Sequence, residues 1–371
     1  MLLYLVAGAR PNFMKIAPIV RALRADGRVA FKLVHTGQHS DRTMNDVFFD
    51  ELGIPPPDMT LDAADAGSAC SATHAGQTAR IMVGFETLCL RERPDAVLVV
   101  GDVNSTLACA IAAKKLGIPV AHVEAGLRSG DMSMPEEINR LVTDSISDWF
   151  FVTEPAALEH LRREGKLDAS VHYVGHVMVD NVLHQVAQLS PATGGGEAGR
   201  FKARHGAGRY GVVTLHRPSN VDVPATFARI AGALRTLARE LPLVFPVHPR
   251  TRANIAAFGI DLGEHIALTA PQGYMAFLDL WKDAALVLTD SGGLQEETTA
   301  LGVPCITLRE NTERPVTIDE GSNVLAGTDP AAILHEARKI LAGRGKRGRR
   351  PHLWDGHAAG RIVAILAREL A

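Results

Sequence analysis

Short runs of apolar residues alternate along the chain with longer stretches in which apolar residues recur at helical spacing. In the first half, strand-like runs lie at residues 2–7, 31–35, 96–100, 119–123 and 149–152, and helix-like stretches at residues 14–25, 68–91, 105–116 and 135–147. Apolar strands separated by helices are typical of parallel sheets with crossover helices. The pattern therefore predicts an α/β fold.

The second half repeats this pattern, with strands predicted at residues 210–215, 243–247, 267–269, 285–289 and 304–307, and helices at residues 224–239, 274–282, 294–301 and 330–342. A chain of 371 residues exceeds the size at which one core usually stops growing. We therefore expect two Rossmann-like, doubly wound parallel-sheet domains. The first spans residues 1–175, the second spans residues 176–356, and a helix at residues 357–371 packs back on the first domain.

Composition narrows the choice of partners and compartment. Hydrophobic residues make up 46% of the chain and charged residues 22%. Because the net charge is −2, we expect no general electrostatic attraction to nucleic acid or to an anionic membrane. The basic run at residues 344–350 is interrupted by glycines and predicts a solvated loop. The four cysteines lack the spacing of metal ligands, and the apolar N-terminus predicts a strand and not a signal peptide. We expect a cytoplasmic enzyme without a metal or cofactor.

The segment at residues 122–140 concentrates carboxylates, arginines and a histidine directly after a predicted strand. Ligands of open α/β sheets bind at the carboxyl ends of strands, so this concentration of ionisable side chains indicates a functional site. Glu124 follows buried-type residues, and a buried carboxylate needs a basic partner, such as Arg128, or is kept for proton transfer. Glu136 and Glu137 follow Pro135 at a predicted helix start, where the positive end of the helix dipole stabilises acidic side chains. We accept this explanation for Glu137.

Other strand ends carry polar residues that allow two interpretations. Asp102 follows a strand in G-D-V-N-S-T and is either a helix cap or a reactive acid. The turn after the first strand has one glycine, so a dinucleotide fingerprint is missing, which disfavours a nicotinamide cofactor there. Arg10 and Lys15 in that turn either suit a diphosphate or remain solvated.

The second half carries the stronger phosphate signal. Ser291, Gly292 and Gly293 lie between a strand and a helix, where backbone N–H groups and the positive helix end favour an anion. Glu297, one helical turn later, either accepts hydrogen bonds from a ribose or is a surface acid. Two histidine–arginine pairs, at His216 and His248, follow other strands and favour an anionic ligand over a metal.

Taken together, these motifs resemble those of the non-hydrolysing UDP-N-acetylglucosamine 2-epimerases. The similarity covers nearly the whole chain in the right order: G-A-R-P-x-x-x-K at Gly8, H-T-G-Q-H at His35, G-D-x-N-S-T at Gly101, H-V-E-A-G-L-R-S-G-D and P-E-E-x-N-R from His122, L-H-R at Leu215, P-V-H-P at Pro246, D-S-G-G-x-Q-E-E at Asp290 and T-E-R-P at Thr312. The resemblance implies a glycosyltransferase-B-like fold, with the active site in the cleft that the two domains face, and a homodimer. It also implies reversible C2 epimerisation of UDP-N-acetylglucosamine to UDP-N-acetylmannosamine for cell-surface polysaccharide synthesis.

The same resemblance implies roles for individual residues. The family's catalytic residues fall on Asp102, Glu124, Glu136 and His216. Its contacts to the substrate and to UDP fall on Arg10, Lys15, Arg140, His248, Phe277, Ser291, Gly292, Gly293, Glu297 and Arg314. Glu136 and Phe277 enter only through the resemblance, because the residues alone did not select them.

Three departures from the family pattern and three rival functions remain open. Asn12 replaces a frequent acid, the sequence Pro218-Ser219-Asn220 replaces R-E-N, and Asp41 replaces a second glutamine that some members have. The last change leaves activation by a second substrate molecule open. The rival functions are a hydrolysing epimerase, a glycosyltransferase of the same fold and a non-enzymatic nucleotide-sugar sensor.

Overall fold

The computed structural model describes residues 1–38, 46–61, 73–190 and 195–371. Within these ranges all strands pair in parallel. Asp41 and the beginning of the helix predicted at 68–91 lie outside these ranges. The described chain forms two units, of which unit 1 comprises Met1–Asn181 and His352–Ala371, and unit 2 comprises Val182–Pro351. None of the helices in the described ranges is long and apolar enough to cross a membrane.

Unit 1 contains a parallel sheet of seven described strands in the order β3-β2-β1-β4-β5-β6-β7. The strands are β1 (Leu2–Ala7), β2 (Ala30–His35), β3 (Met59–Thr60), β4 (Ala96–Val100), β5 (Val120–Val123), β6 (Trp149–Val152) and β7 (Val171–Tyr173). The helices are α1 (Arg10–Asp26), α2 (Asp46–Leu52), α3 (His74–Arg91), α4 (Asn104–Lys115), α5 (Pro135–Ile146), α6 (Pro155–Arg163), α7 (Val177–Gln188), which runs past Asn181, and α16 (Ala358–Glu369). Strands β4 and β5 are buried throughout, which explains their unbroken apolar sequences.

Unit 2 contains a second parallel sheet, of six described strands, in the order β10-β9-β8-β11-β12-β13. Its strands are β8 (Gly211–Thr214), β9 (Leu243–Pro246), β10 (Ile266–Thr269), β11 (Leu286–Thr289), β12 (Cys305–Thr307) and β13 (Asn323–Leu325). Its helices are α8 (Gly196–His205), α9 (Pro218–Val221), α10 (Pro224–Ala238), α11 (Pro249–Ala257), α12 (Tyr274–Lys282), α13 (Gly292–Leu301), α14 (Pro315–Asp319) and α15 (Pro330–Leu341). The predicted fold class, two Rossmann-like parallel-sheet units, is confirmed.

The sequence pattern missed the short elements. Strands β3, β7 and β13 have two or three residues, too few for a periodic signal. Helix α8 was also not predicted; it begins at Gly196, the last of three successive glycines, and glycine is unfavourable in helices. Its basic last turn suits the negative end of a helix, a signal that the preceding glycines obscured.

The helix α16 belongs to unit 1. Helix α16 packs against α1. Its first turn is capped by Asp180, whose carboxylate accepts hydrogen bonds from the amides of Ala358, at 3.2 Å, and Ala359, at 2.7 Å. Asp180 is buried, so this contact replaces water at the helix start.

Candidate active site

In unit 1 the residues of interest cluster where the strand order reverses. Strand β1 pairs with β2 on one side and with β4 on the other, so the strand order changes direction between β1 and β4. The carboxyl ends of these two strands form the switch point at which such sheets bind ligands. Gly8 follows β1 and has no room for a side chain, because a Cβ atom would lie 1.9 Å from Oγ of Ser105. Asn12 accepts hydrogen bonds from the Gly8 and Ala9 amides and donates to the Val100 carbonyl. It thereby links the ends of the two strands.

Glu124, directly after β5, is buried and forms a short hydrogen-bonded ion pair with Nζ of Lys15. Its backbone φ of 71° lies in the left-handed region, where a residue with a side chain is strained, and such strain concentrates at functional sites. The sequence suggested Arg128 as its cation, and that suggestion is wrong. Arg128 instead pairs with Asp144 at 2.7 Å and with Glu164 at 2.6 Å.

Asp102, after β4, is joined to α5 by a buried arginine. Nη1 of Arg140 makes a short contact with Asp102, and its Nε donates to Glu137 at 3.0 Å. Glu137 also accepts hydrogen bonds from the amides of Ser129 and Gly130, each at 2.9 Å. Burial acts to raise the pKa of Glu137, but these amides and Arg140 hold it below its ordinary value. The helix dipole alone is therefore an incomplete explanation of Glu137.

Glu136 lies one residue earlier, in the first turn of α5, and is half-buried. Within the described ranges its carboxylate takes part in no hydrogen bond or ion pair, unlike the carboxylates of Asp102, Glu124 and Glu137. Its carboxylate is consequently the least constrained of the three predicted catalytic acids.

A buried histidine–aspartate pair, which sequence reasoning missed, connects these strand ends. His122 Nδ1 lies 2.7 Å from Asp144 Oδ1, and His122 Nε2 lies 2.9 Å from the carbonyl of Gly101. The other oxygen of Asp144 accepts from the Gly126 amide at 2.9 Å. The sequence offered one signal for this pair, the position of His122 inside an otherwise apolar strand. It offered no signal for Asp144, because the position of Asp144 on α5 does not reveal its partner.

In unit 2 the switch point lies between β8 and β11, and His216 meets Asp290 there. His216 Nδ1 lies 2.9 Å from Asp290 Oδ1, and the imidazole is 49% exposed while the carboxylate is fully buried. Burial acts to raise the pKa of Asp290, but hydrogen bonds from His216 and from the amides of residues 216 and 217 hold it below its ordinary value. Asp290 thus orients His216 and directs its Nε2 away from the carboxylate.

Helix α13 begins beside a cluster of buried charges. Ser291 precedes it, and the Ser291 side chain makes no capping hydrogen bond. Arg314 pairs with Glu296 and, at 2.6 Å, with Glu313. A Cβ atom at Gly292 would lie 2.7 Å from Arg314 Nη1, so the guanidinium lies against the start of the helix. Glu313 is buried, which acts to raise its pKa, but Arg314 and Arg309 hold that pKa well below its usual range.

The remaining predicted nucleotide contacts lie around α11, α12 and α13. Glu297, in α13, accepts a hydrogen bond from the hydroxyl of Tyr274 at 2.9 Å, and both side chains are buried. Phe277 is half-buried on α12, the same helix as Tyr274. His248 is exposed and caps α11 by accepting a hydrogen bond from the Arg250 amide at 3.3 Å. Tyr274 is a further residue that the sequence did not select.

Each unit therefore assembles its own part of the predicted set. In unit 1, Lys15 meets Glu124, and Arg140 meets Asp102, whereas Arg10 begins α1 and Glu136 lies in α5. In unit 2, Arg314 lies against Gly292, while His216 is held by Asp290, a residue of the quoted D-S-G-G motif that was not selected. Such buried, hydrogen-bonded charges at strand ends favour acid–base chemistry and anion binding.

Comparison with known proteins identifies extensive similarity. The sequence profile of the family described as UDP-N-acetylglucosamine 2-epimerase matches residues 21–367. The chain is 39% identical to UDP-N-acetylglucosamine 2-epimerase of Methanococcus maripaludis, covering 98% of each chain. It is 38% identical to UDP-2,3-diacetamido-2,3-dideoxy-D-glucuronate 2-epimerase of Pseudomonas aeruginosa, again covering 98% of each. The crystal structure of Methanocaldococcus jannaschii UDP-GlcNAc 2-epimerase, in complex with UDP-GlcNAc and UDP, superposes with a TM-score of 0.86 at 38% identity, covering 99% of this chain and all of that one.

Proposed function

Because the chain belongs to the UDP-N-acetylglucosamine 2-epimerase family of isomerases, we propose that it converts UDP-N-acetylglucosamine reversibly to UDP-N-acetylmannosamine. The reaction proceeds by elimination and re-addition of UDP. The observation that supports it most directly is the ionisable set at the strand ends of unit 1, where Glu124 pairs with Lys15 and Asp102 with Arg140. A protein that only bound the nucleotide sugar would not need these carboxylates.

The chemistry requires departure of the nucleotide. The C2 hydrogen is not next to a carbonyl, so removing it without another bond change is too costly. In the proposed step a carboxylate takes the C2 proton, the C–H electron pair forms the C1–C2 double bond, and the C1–O bond breaks with its electrons on UDP. The intermediate is 2-acetamidoglucal with bound UDP. A phosphate oxygen then bonds to C1 while C2 gains a proton on the opposite face.

Asp102, Glu124 and Glu136 are the groups we assign to this proton transfer. Two faces of one carbon need a base and an acid, which suits carboxylates in different environments. Glu124 is buried against Lys15, Asp102 contacts Arg140, and Glu136 is half-buried without such a partner among the described residues. Because neighbouring acids titrate together, we assign the proton transfer to the set and not to single members.

The cations and helix α13 are assigned to the departing diphosphate. In unit 1 these are Arg10, Lys15 and Arg140; in unit 2 they are His216, Arg314 and the amides at Ser291, Gly292 and Gly293. Hydrogen-bond donors fixed before the reaction stabilise developing charge, and one such donor is typically worth about 10²–10³ in rate. We assign His248, Phe277 and Glu297 to the nucleotide.

A second substrate is supported by the relative from Pseudomonas aeruginosa, which is 38% identical and carries the name of an epimerase for UDP-2,3-diacetamido-2,3-dideoxy-D-glucuronate. That sugar presents the same C2 acetamido group and the same UDP leaving group. The C2 chemistry would therefore be identical, and the two sugars differ at C3 and C6. Specificity is decided by supplying each sugar nucleotide separately and then together.

The test uses the full chain in deuterium oxide with UDP-N-acetylglucosamine alone. Deuterium should enter C2 of substrate and product, as detected by proton NMR, and UDP should remain attached in the product, as detected by phosphorus NMR. Glu124→Gln should abolish exchange while UDP binding persists, because the amide cannot accept the C2 proton.

Each other outcome rejects part of the proposal. Retention of protium at C2 in the epimerised product rejects elimination. Accumulation of free UDP with free N-acetylmannosamine indicates a hydrolysing epimerase. Activity on the diacetamido glucuronate alone assigns the second substrate. Release of UDP that needs an added sugar acceptor and leaves protium at C2 indicates a glycosyltransferase.

We also propose that the enzyme is a cytoplasmic homodimer that serves cell-surface polysaccharide synthesis. Cys89, Cys109 and Cys305 are buried thiols, as expected in a reducing compartment. On α3, Val83 is 64% exposed and Leu90 is 70% exposed; they lie seven positions apart and so on one face of the helix. Exposed apolar side chains grouped on one face favour a protein partner, for which a second copy of this chain is the simplest candidate.

A further inference from the structure

His176 lies beside Glu124, although no sequence motif selected it. It directly precedes α7, and its side chain is 1% exposed. Its Nε2 is 3.9 Å from Oε1 of Glu124. Lys15 holds the other oxygen, Oε2, while Oε1 accepts no hydrogen bond from any residue that the structure describes. The two oxygens of the carboxylate therefore face different neighbours.

The backbone determines which nitrogen of His176 carries the proton. The amide of Met178 lies 3.1 Å from Nδ1. A backbone amide can only donate, so Nδ1 accepts and carries no proton. The neutral ring then carries its proton on Nε2, the nitrogen that faces Glu124. At 3.9 Å this donor and acceptor are too far apart for a hydrogen bond, but a movement of about 1 Å would form one.

The segment at residues 352–371 holds the imidazole in place. Trp354 is buried against it, with ring centroids 5.1 Å apart and planes at 86°. The indole N–H donates to the Thr153 carbonyl at 2.9 Å, which fixes the tryptophan. Gly175 has a φ of 86°, and a Cβ atom there would lie 2.0 Å from the carbonyl oxygen of Leu353, so the segment is packed directly on the residue before His176.

We propose that His176 is a positioning residue for Glu124: its Nε2–H holds Oε1, so that Oε2 is the oxygen that exchanges the proton at C2. This inference rests on the proposed function, in which Lys15 binds the diphosphate. When Lys15 turns to the diphosphate, Oε2 loses its cation and becomes available as a base. The hydrogen bond from His176 then keeps the carboxylate oriented at the moment of proton transfer.

Two substitutions separate this role from a purely structural one. In His176→Asn the amide oxygen takes the place of Nδ1 and accepts the Met178 amide, but no donor remains at the position of Nε2. In His176→Gln the amide nitrogen reaches the position of Nε2, while the acceptor for Met178 is lost. The measurements are kcat and KM for epimerisation, deuterium exchange at C2, UDP affinity and thermal unfolding.

We expect His176→Asn to lower kcat and C2 exchange by about 10- to 100-fold, the usual worth of one hydrogen bond to a charged group, with KM and UDP affinity nearly unchanged. His176→Gln should retain most of the activity even where it lowers thermal stability. If the Asn variant equals the wild type, or the Gln variant is no better than the Asn variant, the proposal is wrong.

Nitrogen NMR of the wild-type enzyme provides a test that no folding defect can affect. The ring should show a protonated Nε2 and an unprotonated Nδ1, with the signals assigned by their loss in His176→Gln or, if that variant does not fold, in His176→Asn. A proton on Nδ1 overturns the proposal. Failure of the proposed function is recognised separately, because the wild type would then exchange no C2 hydrogen in either sugar nucleotide.

Discussion

Asp290 shows how one buried carboxylate prepares an exposed histidine. It accepts hydrogen bonds from the backbone amides of His216 and Arg217, from the side chain of Asn220 at 3.2 Å and from the His216 ring. These donors hold the carboxylate in one orientation, and the carboxylate in turn orients the ring. A fully buried acid can therefore control the orientation of an exposed histidine.

We predict that Asp290→Asn lowers kcat by about 10² or more, the typical worth of one fixed electrostatic group. The amide still accepts the backbone hydrogen bonds but can present an N–H to Nδ1, which changes the tautomer or the orientation of His216. UDP affinity should change little. Steady-state kinetics with UDP titration checks this, and Asp261→Asn, which removes an acid 71% exposed, is the control. An unchanged kcat would show that Asp290 only supports the local fold.

Pairings between residues were less predictable than their positions. The sequence selected Glu124, Asp102 and Lys15 because each lies near a strand end or helix start, and it selected Arg140 through the family resemblance. The structure brings these four residues together in pairs. The sequence did not predict that Lys15 pairs with Glu124, from which it is separated by 109 positions. Arg128 was the cation nearest in sequence, but it pairs with Asp144 and Glu164, whereas Lys15 on α1 reaches Glu124.

The ends of β4 and β5 and the helix α5 are held together by His122 and Asp144. Through Gly101 the pair holds the loop that carries Asp102, and through Gly126 it holds the loop that follows Glu124. Asp144 belongs to α5, which also carries Glu136 and Arg140. The three elements that supply the predicted catalytic acids are thus connected by one buried histidine–aspartate pair.

We predict that Asp144→Asn lowers the free energy of unfolding at pH 7 by about 3–5 kcal/mol, because it breaks a buried charge network with His122 and Arg128. Burial acts to raise the pKa of Asp144, but His122, Arg128 and the Gly126 amide hold it below its ordinary value. Its stabilising contribution is therefore present above the unfolded pKa of about 3.9 and is lost as pH falls through the lower folded pKa.

Urea unfolding as a function of pH checks this prediction. The difference between the wild type and Asp144→Asn should be largest near neutrality and should narrow on acidification below about pH 4. Glu159→Gln, which removes a 46% exposed acid from a helical ion pair, should change stability by only about 0.3–0.5 kcal/mol. A constant difference at all pH values would assign the effect to packing instead of charge.

Most of the long helices and strands were predictable from the sequence, and most of the short ones were not. Strands β1, β4 and β6 and helix α12 have the predicted bounds, because buried strands and amphipathic helices leave strong periodic signals. Helix α9 and strand β3 are too short to do so. Their positions depend on tertiary contacts such as the pairing of Val34 with Met59.

The proposed homodimer can be tested through α3. We predict that the double variant Val83→Glu and Leu90→Glu sediments as a monomer at concentrations where the wild type is a dimer, because two charges would be buried in an apolar interface. Leu167→Glu is the matched control, since Leu167 is 75% exposed on another part of unit 1. A monomeric wild type, or a double variant that remains dimeric, would contradict the assignment of this face.

The order of the two units along the chain has a consequence for synthesis on the ribosome. Unit 1 begins at Met1 but is completed by residues 352–371, which are translated only after the whole of unit 2. A nascent chain that has released residues 1–181 still lacks the cap partner of Asp180 and the tryptophan beside His176. Unit 2 can therefore fold as it leaves the ribosome, whereas unit 1 reaches its final packing only after residues 352–371 have been translated.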